Sequence, residues 1–199
     1  MRTRLGRTLA ALTAIAVTCV AIIGGCSQSE PTSSPDAAPE SSASETPEKP
    51  PVATQLVVGR VAGNLGEKQK VAMKEDVKEI VDTFFEEAYL GDFPRTSFDT
   101  AYAAFTKGAR ADAERDADLL SNAAISDQID SATGAKRQVS LDVLAFHGVP
   151  HGVTARFTLD FDTSGDIQER QRVKGYLLLD HEGGHWQVFG YNLIRSVIS

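Results

Sequence analysis

VTARFTLDFD (residues 153–162) alternates apolar and polar side chains without a break. A period of two is typical of a β-strand with one buried face and one solvated face. The apolar side chains of such a strand need a covering layer, so this stretch decides the fold class of the second half of the chain.

The flanking sequence repeats the same period. Similar strands are predicted at about 138–146, 170–180 and 186–196. The intervening turns are Gly148-Val149-Pro150, Thr163-Ser164-Gly165-Asp166 and Glu182-Gly183-Gly184. Turns this short join antiparallel neighbours, so the sequence predicts a curved four-stranded antiparallel meander. A weaker apolar run between Leu56 and Val61 predicts either a fifth strand or an apolar docking segment.

The residues before this sheet have a helical period. Apolar side chains recur at spacings of three and four at Met73, Val77, Ile80, Val81, Phe84, Phe85 and Ala88. They predict an amphipathic helix from about Glu67 to Leu90, ended by Gly91.

Two shorter helices are predicted after it. One contains Phe98, Tyr102 and Phe105 with Ser97 as N-cap, and the other covers 109–120, with Gly108 between them. Helices followed by a sheet with one apolar face predict an α+β fold, and residues 53–199 are long enough for one such domain.

The N-terminus has the pattern of a secretory signal peptide. Three arginines in the first seven residues precede the apolar run Leu9–Ile23, and Gly24-Gly25-Cys26 follows it. This pattern resembles bacterial lipoprotein precursors. The resemblance implies cleavage after residue 25, acylation of Cys26, and anchoring on the extracytoplasmic face of the cell membrane.

Residues 26–52 are rich in Pro, Ser and Glu and lack apolar side chains for a core. They predict a disordered tether with a span of about 30 Å. Removal of residues 1–25 takes away three arginines and no acid, so the formal net charge falls from −7 to −10. This acidity, without a basic stripe, argues against nucleic acid as a partner.

The order of the elements suggests a family. A long N-terminal helix, two shorter ones, a bent antiparallel sheet and the last strand WQVFGYNL (residues 186–193) resemble the nuclear transport factor 2-like superfamily. Within it, the general plan is similar to actinobacterial proteins associated with mammalian-cell-entry lipid transporters. A cystatin-like sheet is the alternative. The resemblance implies a concave sheet face, covered by helices, that leaves a conical pocket.

The inferred concave face is almost entirely apolar, with Tyr191 as its one polar side chain. A general base in this pocket needs a carboxylate or imidazole, so the sequence predicts a protein that is not an enzyme and has no cofactor. If the pocket is open, the candidate ligand-binding residues are Phe84, Phe157, Leu177, Phe189 and Tyr191. Strand parity places Trp186 on the opposite, outer face.

Four histidines flank two of the turns. His147 and His151 bracket the first turn, and His181 and His185 bracket the third, so each pair is expected to face across two strands at one end of the sheet. They are candidate ligands for a divalent metal such as zinc. The alternatives are a pH-sensitive rim and ordinary turn residues.

These features favour a non-enzymatic, acyl-anchored domain that serves as an interaction or accessory module of an envelope protein complex. The alternative is a carrier or binder of an apolar small molecule or lipid in the concave pocket. The two differ in whether helix and sheet side chains fill the concave face.

Overall fold

A computed structural model describes residues 52–199 of the chain. The predicted signal peptide, Cys26 and all but the last residue of the predicted tether lie outside the described residues. Within them, no helix is both long and apolar enough to span a bilayer.

The described chain has an α+β content with one mixed six-stranded sheet and a few helices. The strands are β1 (Gln55–Ala62), β2 (Gly91–Asp92), β3 (Ile129–Phe146), β4 (Val149–Gly165), β5 (Arg170–Glu182) and β6 (His185–Ile198). The α-helices are α1 (Glu67–Ala88), α2 (Lys107–Arg115) and α3 (Ala117–Leu120). Two 3₁₀ segments, Asp99–Tyr102 and Ala123–Gln128, complete the helical layer.

The prediction of a four-stranded antiparallel meander is wrong. The four predicted strands exist and pair antiparallel in chain order, but the sheet continues beyond them in the order β1-β3-β4-β5-β6. The run that contains Leu56 is a strand, and it pairs parallel with β3. The short β2 pairs with the start of β3. A parallel partner distant in sequence has no turn signal, so strand periodicity alone does not reveal it.

Helix α1 follows the predicted apolar stripe. Its buried side chains are Met73, Val77, Val81, Phe84, Phe85 and Ala88. The helix ends two residues before the predicted end at Leu90, and Gly91 starts β2 instead of closing the helix. Gly91 has a φ of 89°, a conformation that glycine adopts without the steric cost of a Cβ.

The shorter helices differ from the prediction in length and number. The prediction of Ser97 as N-cap is wrong: its hydroxyl accepts a hydrogen bond from the backbone N–H of Asp99 at 3.2 Å, but the segment that follows is a 3₁₀ turn whose N-cap is Phe98. The helix predicted over 109–120 is two helices, α2 and α3, because the helical conformation is interrupted at Asp116. Helix α2 begins before Gly108, and Thr106 caps it through its side chain.

The first and third hairpins have two-residue turns. His147 and Gly148 have φ values of 53° and 83°, and Gly183 and Gly184 have 61° and 87°. Two successive positive φ values match the twist of paired antiparallel strands. The first turn is therefore shorter than the predicted Gly148-Val149-Pro150, and Val149 and Pro150 belong to β4. In a sheet of this strand order, both tips lie at the same end.

Arg195 joins the last strand to the helical layer. Its Nε donates to Gln171 Oε1 at 2.6 Å, and its two Nη atoms donate to the Ser121 carbonyl at 2.8 Å and to Asn122 Oδ1 at 2.7 Å. Burial lowers the pKa of this guanidinium. A buried donor with several acceptors is satisfied in place, so this side chain fixes the end of β6 against the short helices.

Replacing a buried aromatic side chain of α1 tests this packing. Phe85 is fully buried, so we expect Phe85→Ala to lower the free energy of unfolding by about 3 to 5 kcal/mol. Phe146→Ala is the matched control, because Phe146 is 64% exposed and its loss should change stability by less than about 1 kcal/mol. Urea unfolding of both variants measures the difference. Equal effects would contradict the packing described for α1.

Candidate functional site

Three of the five candidate ligand-binding residues are buried against each other. Phe84, Phe157 and Leu177 belong to the core between α1 and the inner face of the sheet, which is the face toward α1. The Phe157 ring centroid lies 6.2 Å from that of Phe84 and 5.1 Å from that of Phe85. These side chains therefore contact protein at the position where the pocket hypothesis places a ligand.

Tyr191 lies at the edge of the same layer. Its ring centroid is 6.3 Å from that of Phe105, and its hydroxyl donates to Asp116 Oδ2 at 2.8 Å. Partial burial and this carboxylate raise the pKa of Tyr191. The neutral phenol of Tyr191 donates this hydrogen bond to Asp116, which lies between α2 and α3, so the bond joins both helices to β6. This contact supports a structural role for Tyr191.

Phe189 lies on the other side of the sheet. A β-bulge in β6 places Leu178 opposite Gly190 and Leu179 opposite Val188, so Phe189 has no partner in the register. A bulge adds one residue and reverses the parity of the strand before it. Trp186 and Val188 are consequently buried, and Phe189 is exposed. The predicted outward position of Trp186 is therefore wrong.

The interior gives little support to the pocket hypothesis. Grooves of about 350 to 480 Å³ lie on the outside of the described domain, three on the outer face of the sheet and one along the exposed side of α1. The five candidate residues do not surround one space in the described chain, because the sheet separates Phe189 from the other four. Ligand binding at these residues stays a prediction.

The four histidines do not pair as predicted. Ala145 pairs with Pro150 and Leu144 with Gly152, which leaves His151 in a bulge. His181 lies opposite Trp186, and their ring centroids are 5.0 Å apart. All four histidines are exposed, in the turns or next to them.

Metal binding by the four histidines stays a prediction. Within residues 52–199, no group of three or more His, Cys, Asp or Glu side chains is arranged to hold a metal ion. His147 instead packs its ring on Phe146, at 4.1 Å between centroids. The predicted facing pairs are absent for two reasons: His151 lies in the bulge beside the first turn, and at the third turn His185 pairs with Glu182 instead of His181.

The outer face carries an exposed apolar surface at the hairpin end. We call it the outer patch, and its members are Leu144, Phe146, Val149, Leu178 and Phe189. Leu144, Phe146 and Phe189 are 60%, 64% and 49% exposed. Isolated apolar side chains are ordinary on protein surfaces, but several of them at one end of one sheet face are typical of a contact surface.

A groove of about 350 Å³ runs through the outer patch. Leu144, Leu178 and Phe189 line it, together with Asp180. One carboxylate oxygen of Asp180, Oδ1, is buried and accepts no hydrogen bond from the described residues. A buried acceptor without a donor costs free energy, and Asp180 Oδ1 is such an acceptor within the described residues.

Ion pairs lie on other parts of the outer face. Arg172 makes two hydrogen bonds of 2.7 Å to Asp160, and Arg170 makes a similar pair with Asp162. The Arg172 guanidinium holds the pKa of Asp160 below its usual range. Fork-to-carboxylate contacts of this kind leave little free charge. The outer patch is the part of the face where apolar area and an incompletely bonded carboxylate meet.

Sequence reasoning missed four of the five outer patch residues, and Asp180. A signal was present: strict alternation stops at Val143-Leu144-Ala145-Phe146, at Leu177-Leu178-Leu179 and at Val188-Phe189. Apolar side chains on both faces of a strand indicate that both faces of the sheet are covered at that position. The register brings all three runs to the same end of the sheet.

Acid unfolding tests the ion pair at Asp160. A carboxyl whose pKa is lowered in the folded state stabilises the protein above its unfolded pKa of about 3.9, and this stability is lost as the pH falls through the folded pKa. We expect the urea unfolding free energy to fall below about pH 5, and Asp160→Asn to reduce that slope. Asp166→Asn in an exposed turn is the control. A slope unchanged in Asp160→Asn would contradict the pair's contribution.

Comparisons with known proteins identify no relative of this chain. No family model matches it, no curated protein matches it, and no solved structure matches it. Function is therefore inferred from the packed inner layer, the outer patch and the N-terminal sequence.

Proposed function

We propose that this protein is a membrane-anchored extracytoplasmic lipoprotein whose domain serves as a non-enzymatic interaction module of the cell envelope. The observation that carries the proposal is the outer patch. It offers large apolar side chains on a rigid sheet, at the end where two hairpins meet. Aromatic and aliphatic anchors on rigid elements are what protein partners bury at the centre of an interface.

The inner layer favours a surface function over a carrier function. A carrier needs a cavity between helix and sheet, and the side chains proposed to line it pack on one another instead. Core aromatic pairs at these separations are stabilising contacts in their own right. The interaction module is therefore better supported than the apolar-ligand carrier.

The anchor is proposed from the sequence. Cys26 follows two small residues and an apolar run, and acyl chains on it would hold the chain to the bilayer more stably than one chain alone. A tether of about 30 Å would let the domain meet a partner near the membrane. Such a partner would be another envelope protein.

We also propose that the domain has a nuclear transport factor 2-like fold. The support for this fold is the order of the elements and the cover of the inner face by α1. Register shifts in β3 and β6 are of the kind that bend a sheet. The parallel edge strand β1 is an addition to the four-stranded core of the prediction.

Crosslinking in living cells tests the outer patch. Benzoylphenylalanine in place of Phe146 or Phe189 should give adducts of discrete mass, because both positions lie at the proposed contact. The same probe in place of Val71 is the control, since Val71 is 55% exposed but lies on α1. Mass spectrometry of the adducts identifies the partner. Identical adducts from all three positions, or none, would contradict the proposed function.

Cys26→Ser tests the anchor separately. Without the thiol no acyl chain is attached, so the protein should lose label from a radioactive fatty acid and leave the membrane fraction. The outer patch is unchanged in this variant. A Cys26→Ser protein that stays labelled and membrane-bound would show that the lipoprotein assignment is wrong.

A further inference from the structure

The groove beside Asp180 combines apolar walls with a carboxylate that lacks one hydrogen bond. We propose that it binds an arginine side chain of the partner protein, with the guanidinium on Asp180 and the aliphatic stem between Leu178 and Phe189. This inference rests on the proposed function, because it names the chemistry by which the outer patch recognises its partner.

The shape of the groove fits a stem with a polar end. Gly152 lies between Leu144 and Asp180 in the register of β3, β4 and β5, so no side chain separates the apolar wall from the acid. Leu144, Leu178 and Phe189 can cover methylene groups while the charged end reaches Asp180. The volume of about 350 Å³ exceeds one side chain, so apolar neighbours of the arginine would enter as well.

Charge complementarity selects a cation. The chain without residues 1–25 has a formal net charge of −10. Other acids of the outer face already have arginine partners, since Asp142 accepts from Arg156 and Asp160 from Arg172. No ion pair joins Asp180 to a described base. An incoming cation therefore meets at Asp180 a carboxylate that is not yet neutralised.

Arginine fits better than lysine for two reasons. Its planar fork presents several N–H donors in a fixed geometry that matches a carboxylate. Its flat face also stacks on an aromatic ring, and Phe189 offers one at the wall of the groove. A lysine ammonium supplies a point charge without this shape.

Peptide binding tests the proposal with a neutral isostere as reference. The probe is acetyl-leucyl-arginyl-leucine amide, and the reference has citrulline in place of arginine. The protein is the chain from residue 26 onward carrying Cys26→Ser, so no detergent is needed. We expect saturable amide shifts in two-dimensional NMR at Leu144, Leu178 and Phe189. The citrulline peptide should bind roughly tenfold more weakly.

Three variants separate charge from apolar contact. Asp180→Asn should reduce the preference for arginine over citrulline to less than about twofold. Leu178→Ala should weaken both peptides to a similar extent, because it removes apolar wall and not charge. Asp166→Asn, at the far end of the sheet, should change neither affinity. Unchanged spectra outside the groove confirm that each variant folds.

Several results would overturn the inference: equal affinity for the two peptides, no saturable shift in the groove, or shifts that move with protein concentration alone. The last would mean that a second copy covers the groove. The proposed function fails on a different result, the absence of position-specific adducts at Phe146 and Phe189. Adducts there without an arginine preference would leave an interaction surface whose partner does not use Asp180.

Discussion

The packing of Phe84 and Phe85 of α1 against Phe157 of β4 is the contact on which the rest of the domain depends. The ring centroids lie 5.1 to 6.2 Å from Phe157, and all three side chains are buried. This contact fixes which face of the sheet is inner. It also occupies the space in which an apolar ligand would bind, so the surface that remains for recognition is the outer one.

The bulge in β6 directs apolar side chains of this strand to both faces of the sheet. Trp186 and Val188 complete the core before the bulge, Leu193 completes it after, and Phe189 is left on the outer face. On that face it lines one groove with Leu178 of the adjacent strand β5 and with Leu144 of β3. One inserted residue therefore serves both the core and the outer patch, which explains why an exposed aromatic occurs within a buried strand.

Local periodicity predicts much of this fold and little of the site. The spacing from Met73 to Ala88 predicts α1 to within two residues of its end, because helix pattern and burial follow the same 3.6-residue period. Alternation also predicts the four long strands, although β3 begins at Ile129, nine residues before its predicted start at about residue 138. Parallel pairing of β1 with β3, the bulge at Phe189 and the inward position of Arg195 depend on contacts between distant segments, so no local pattern carries them.

The proposed function is supported by which apolar side chains are buried and which are exposed. Apolar side chains directed toward α1 are buried in the core, whereas those at the hairpin end of the outer face are not covered within the described chain. An interaction surface is the role that such a distribution supports, and Asp180 is the group with which we propose that this surface recognises a cation.

The measurement that tests this account most directly is diffraction from crystals of the protein pressurised with xenon, which enters empty apolar cavities. The account predicts no xenon between α1 and the inner face of the sheet. A xenon atom bound among Phe84, Phe157 and Leu177 would show an open cavity there, and it would contradict the conclusion that this layer is a filled core.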